Sequence, residues 1–177
     1  MNFQEDFLQY SIKRFENFKD LGDKTFAQLN EKDFFFKPSE ESNNIAIIIQ
    51  HLRGNMISRW TNFLTDDGEK PWRKRDSEFE DKDLQQEELL KLWNEGWKCL
   101  FDEMKKLQPE DVTKPILLRS ETMPVFDAIM RQFGHVAYHV GQIIVIAKML
   151  KDADWKTLTI PKGKSEEYFE QMRNKKS

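Results

Sequence analysis

The feature that most constrains this chain is apolar residues recurring at spacings of three and four over long stretches. Successive residues of a helix turn by about 100°, so this spacing lines one helix face, whereas a half-buried strand needs alternation. The first stretch runs from about Phe3 to Leu29 and places Phe7, Leu8, Ile12, Phe15, Phe18, Leu21 and Phe26 on its stripe. The second runs from about Ile45 to Leu64 with Ile47, Ile48, Leu52, Met56 and Trp60, and Asn43 or Asn44 stands where a cap would accept from its free N–H groups. The third runs from Leu84 to Leu107 and carries Leu89, Leu92, Trp93, Trp97, Leu100, Phe101 and Met104. Gly96 weakens it by about 1 kcal/mol relative to alanine, a cost that close packing would offset. The fourth runs from about Val125 to Leu150. PILLRSETMPV, before it, is extended in character and reads as a small hairpin or a simple loop. A short helix is expected near Ser165 to Arg173, beyond Pro161 and Gly163.

The connections say how these helices are arranged. Pro38, Ser39 and Ser42 break the pattern after the first helix. Residues 65 to 83, TDDGEKPWRKRDSEFEDKD, form a link more than twice the usual length of about 2–8 residues. A link this long can traverse a bundle and leave the second and third helices parallel. The expected fold is all-α: a four-helix bundle with a long crossover between helices 2 and 3. With 177 residues it reads as one domain over 1–177. Fourteen Phe and five Trp require an aromatic core. Twenty-eight basic against 31 acidic residues give no positive field for nucleic acid. The single cysteine, Cys99, cannot form an intrachain disulfide and suits a reducing compartment. There is no basic-then-apolar leader, and wholly apolar runs such as Ile45 to Ile49 are far below the roughly 18 residues of a membrane span. These features point to a cytoplasmic protein without nucleic-acid or membrane partners.

The chain has three histidines, and all fall on apolar helical stripes. His135 and His139 are four residues apart, which puts both imidazoles on one face, about 6 Å apart along the axis. Ligands on adjacent turns can reach one ion. His51, one turn beyond Ile47 and Ile48, is expected to point into the bundle. Three histidines leave a fourth position open, as reactive metal sites do. Gln142 extends the His135–His139 stripe by a turn and could steady a ligand. Asn55, one turn after His51, could line the site. The plain alternative is that these are hydrogen-bonded core histidines.

The segments IIIQHLRGNMISRW and RQFGHVAYHVGQI resemble the DinB/YfiT-like superfamily of four-helix metalloproteins. GEKPWRKRDSEFED and DWKTLTIPKGKSE are similar to an uncharacterised family within it. The resemblance spans essentially the whole chain. It implies an up-down-down-up bundle and a divalent metal (zinc, nickel, iron or manganese) held at His51, His135 and His139. It also implies homodimers and, in some relatives, transferases that use low-molecular-weight thiols. The expected function is therefore a metal-dependent enzyme such as a thiol transferase acting on a small molecule. A non-catalytic metal-binding or interaction protein, or a metal-dependent hydrolase, is the alternative.

Other motifs carry less. Gly163-Lys164-Ser165 lacks the earlier glycine of a phosphate loop, because Leu158 occupies that position. Lys70, Arg73, Lys74 and Arg75 beside Trp72 are matched by neighbouring acids, so a solvated, ion-paired loop is expected there. Arg53 and Arg59 read as helix-surface charges or as contacts for an anionic substrate. Cys99 is expected to be a small buried hydrophobe. Trp155, Leu158 and Ile160 are expected to pack the tail onto the bundle.

Overall fold

A computed structural model describes residues 2–174. The four periodic stretches form α1 (Phe3–Phe26), α2 (Ile45–Trp60), α3 (Gln86–Met104) and α4 (Val125–Lys151), and a fifth helix, α5 (Ser165–Asn174), follows. Asn44 caps α2: its Oδ1 accepts from the Ile47 N–H at 2.8 Å. Every residue from Ile45 to Leu52 is buried, so α2 is enclosed on all sides rather than amphipathic. It packs against both α3 and α4, while α1 packs against α4 and α3.

The order of contacts fixes relative direction. Along α2 and α3, Arg53 pairs with Glu95 at 3.3 Å and Thr61 meets Cys99 at 3.8 Å, so position advances together on both helices. Gly96 lies between those points. A Cβ there would stand 3.0 Å from the Arg53 Cα, so glycine permits the close approach its cost implied. Phe15 of α1 stacks on Phe133 of α4 at 4.2 Å, and beyond both helix ends Gln28 exchanges two hydrogen bonds with Lys156. Against α3 the order reverses, with Phe15 beside Trp97 and Phe26 beside Trp93. The core is correspondingly aromatic: Phe15, Phe26, Phe34, Trp60, Trp93 and Trp97 are all buried.

Of the two forms open to PILLRSETMPV, the hairpin is the one observed: β1 (Pro115–Leu118) and β2 (Glu121–Pro124) are antiparallel, with Ile116 opposite Met123, so the helical fold carries one small sheet. Other regions differ from expectation. The segment after α1 is not a plain loop. Its 3-10 turn, Glu31–Phe35, buries Phe34 completely. The crossover is not a solvated loop either. Lys70 and Glu78 are buried, and the Arg73 side chain is only 3% exposed. The tail packs only in part, since Trp155 contacts the core while Leu158 is half-buried and Ile160 is exposed. Segment Val125–Asp154 is, among the described residues, the one helix long and apolar enough to cross a membrane by length and composition. In this fold Val125, Ile129, Val136, Val140 and Ile143 bury one side of it in the core.

Candidate metal centre

α2 contributes His51, and α4 contributes His135 and His139 on adjacent turns. One nitrogen from each lies within 4.8 Å of the others. His51 and His139 are buried and His135 is half-buried.

The hydrogen bonds around the rings decide which nitrogens are free. Glu78 Oε2 lies 3.0 Å from His51 Nδ1. Burial works to raise the Glu78 carboxyl, but hydrogen bonds from Arg73 and His51 outweigh it and hold the group below its ordinary range. An ionised carboxylate only accepts, so His51 carries its proton on Nδ1 and leaves Nε2 as a lone pair. Gln142 Oε1 accepts from His139 Nδ1 at 2.9 Å, which frees His139 Nε2 in the same way. Gln142 thus touches one histidine of the cluster.

Burial, reinforced by the neighbouring imidazoles, lowers His135 to about 3, and burial lowers His139 to about 4. Both rings are therefore neutral at pH 7. His51 Nε2 and His135 Nε2 face each other at 3.0 Å. A proton on one nitrogen makes this a hydrogen bond, whereas a cation between them makes it a pair of ligands. Two nitrogens each about 2.1 Å from a tetrahedral ion stand about 3.4 Å apart, so this pair would widen by about 0.4 Å while the wider spacing in the cluster, up to 4.8 Å, would close. Three imidazoles, two of them aimed by partners on Nδ1, form a donor set that could hold a divalent cation.

The crossover builds the wall behind His51. Arg73 donates to both oxygens of Glu78 at 2.8 Å, and Phe79 lies against the His51 ring at 4.8 Å. Gly54 of α2 admits this carboxylate, because a Cβ at 54 would fall 2.2 Å from Glu78 Oε1. The sequence places Arg73 and Glu78 in a solvated, ion-paired loop, where each is one charge among many, and not beside the histidines. Their best signal was their place in GEKPWRKRDSEFED, the segment that carried the closer family resemblance.

Beside the cluster lies a cavity of about 200 Å³, lined in part by His51, His135, Asn55, Arg59, Gln132 and Arg119. His51, Asn55 and Arg59 follow one another at intervals of four, which stacks them along one face of α2. Asn55 thus lines the cavity and is buried, with Oδ1 lacking a hydrogen-bond partner. Arg59 is a cavity wall rather than a surface charge, and Gln132 was missed from the sequence. Arg53 is held by Glu95 instead.

The hairpin closes the cavity. Its turn residues Arg119 and Ser120 have φ of 55° and 64°, a conformation non-glycine residues adopt at a cost. The Asp67 carboxylate holds the turn by accepting from both backbone N–H groups, at 2.8 and 2.7 Å. Cys99 belongs to neither feature. Burial raises its thiol, and its contact is Thr61.

The architecture is that of a mostly helical protein whose histidine cluster could hold a metal ion. The chain belongs to the family described as protein of unknown function (DUF1572), whose model matches residues 2–164. α5 follows the matched span. No curated protein and no solved structure matches the chain.

Proposed function

We propose that this chain is a metal-dependent enzyme of the DinB/YfiT-like superfamily. In this reading it is a single domain, an up-down-down-up four-helix bundle, with His51, His135 and His139 holding zinc, nickel, iron or manganese. The parallel order of contacts between α2 and α3 and between α1 and α4, with the reverse order between α1 and α3, supports that topology. The observation that carries the metal assignment is the arrangement of acceptors: Glu78 and Gln142 each hold an Nδ1 proton, leaving Nε2 for an ion. Such an ion would supply Lewis acidity at an open position beside the cavity.

The surrounding residues favour group transfer from a low-molecular-weight thiol over hydrolysis. A hydrolase needs a general base in reach, and the buried acid at the cluster, Glu78, is fully engaged by Arg73 and His51. A thiol, with an unperturbed pKa of about 8.5, needs far less help to ionise near a cation than water does. We place the protein in the cytoplasm and expect it to act as a homodimer. An exposed stripe on α4, Met130, Tyr138, Val145 and Met149, offers apolar surface for a second copy.

Elemental analysis of untagged protein, purified without a metal column, tests this reading. About one ion per chain is expected, lost in His139→Ala. Less than about 0.1 ion per chain, unchanged after adding back the four metals, sinks it.

A further inference from the structure

The cavity beside the histidines is lined by more arginines than the nearby acids balance, and several of its lining residues carry buried hydrogen-bond donors without a partner. Among the described residues, nine buried side-chain polar atoms lack a partner, and five of them belong to residues lining this one cavity. Three of the five are donors: Arg59 Nη1, Trp60 Nε1 and Gln132 Nε2. Gln132 is 5% exposed and Trp60 1%. Buried donors without acceptors are costly, so their concentration in one place marks a missing acceptor.

The charges agree with the donors. Arg59, Arg73, Arg75, Arg119 and Arg131 line the cavity, and no acidic residue does. Glu78 balances Arg73, Arg75 stands 3.9 Å from Asp76, and Glu69 is shared between Arg59 at 3.2 Å and Arg119 at 2.9 Å. Arg131 has no acidic partner among the described residues. Burial is the main influence lowering Arg59, to about 10, and Arg119, Arg73 and Arg131 add to it against Glu69. Phe63, Ile116 and Leu118 supply apolar walls, which strengthen any charge interaction inside. Water could accept from Trp60 or Gln132, and the surplus of arginines favours an anion in the same place.

The hairpin adds an independent sign. Arg119 sits on a turn held in an unfavourable backbone conformation by Asp67, and strain of this kind persists where a residue must be placed. Here it places a second arginine on the cavity that Arg59 already lines.

We infer that this cavity is a binding site for the carboxylate or phosphate group of a small organic anion, held by Arg59, Arg119 and Arg131 with Gln132 and Trp60 as neutral donors. Its volume would accept on the order of ten waters, and so a small molecule of that bulk. Asn55 Oδ1, an unpaired acceptor, would meet a hydroxyl or N–H of the same molecule. The anion subsite stands without the metal. Only the direction of the rest of the molecule, toward His51 and His135, rests on the metal reading above.

The test uses full-length protein stripped of metal and dialysed free of chelator. Binding of inorganic phosphate and of malonate is followed by calorimetry and thermal shift, with neutral malonamide and matched sodium chloride as controls. Saturable binding of phosphate, malonate or both is expected, with no response to malonamide. Whichever binds identifies the group. Arg131→Met, at an exposed position, should weaken that binding at least tenfold, and Arg59→Met more. Lys98→Met, on the outer face of α3, should change it less than twofold. No saturable binding by either anion, or equal binding in Arg131→Met and the parent, overturns the inference. Anion binding that appears only after metal is restored also overturns it, because the ion and not the arginines would then be the receptor. Anion binding by a protein that takes up no metal upholds the anion site and defeats the metal reading alone.

Discussion

Two halves of the interior solve the problem of burial in opposite ways. Around Trp93, the rings of Phe26 and Trp97 lie edge-on at 5.1 and 5.4 Å, and the indole N–H donates to Asp23 at 2.7 Å. That region is filled by rings, with one indole N–H, that of Trp97, left without a partner. Around His51 the interior holds a carboxylate, a buried arginine and three imidazoles, beside a cavity with unpaired donors. A protein gains little stability from such a region, because desolvating charges offsets most of their attraction. The aromatic half shows what this chain needs in order to fold, and the polar half shows what it carries in addition.

That division can be broken experimentally. Trp93→Ala removes a large ring from the aromatic half and should cost about 3–5 kcal/mol, read as a lower urea midpoint. Metal affinity of the folded fraction should stay within about twofold. A loss of metal affinity as large as the loss of stability would mean that the halves are one unit. Glu78→Gln acts on the other half. The amide keeps the shape but removes the charge that fixes the His51 proton, and metal affinity should fall about 10–100-fold in a competition titration against a chromophoric chelator. Unchanged affinity would show that Glu78 is merely a partner for Arg73.

The smallest effect is the pH response of metal-free protein. His135 and His139 are depressed in the fold to about 3 and 4, from an ordinary 6.5. Below 6.5 the unfolded chain therefore binds more protons than the folded one. Stability is full above that pH, declines as pH falls through it, and goes on declining toward pH 4 and 3. Urea midpoints should drop between pH 7 and pH 5.5, above the carboxylate range, and by the same amount in Trp93→Ala. A flat profile over that interval would mean the imidazoles are not buried as neutral groups.

The aromatic half was the more legible from sequence. Its information is periodic, so Phe15, Phe26, Trp93 and Trp97 could be assigned to stripes without knowing what they touch. The histidine pair was legible for the same reason, since His135 and His139 lie within one helix. Glu78 and Arg73 were not, because burial of a charge depends on a partner, here His51, that is remote in sequence. Arg59 was open between surface and site until the hairpin closed over it. The turn itself lacks the usual Asn-Gly or Asp-Gly signal. Arg119 and Ser120 are held in place by Asp67, more than fifty residues earlier, and no local rule reads that contact. The charge balance of the crossover suggested a solvated segment, yet Lys70 is buried with Asp66 and the Asp67 carbonyl as partners.

The contact between Gly54 and Glu78 binds two distant positions into one choice. A carboxylate end can usually swing aside for a new methyl group, but this one is pinned by Arg73 on one side and His51 on the other. Any side chain at 54 would evict it. Within the family, then, the two positions should drift together. A relative with alanine or serine at the place of Gly54 should have no acid at the place of Glu78, and should either have lost the histidine of α2 or have found it another acceptor.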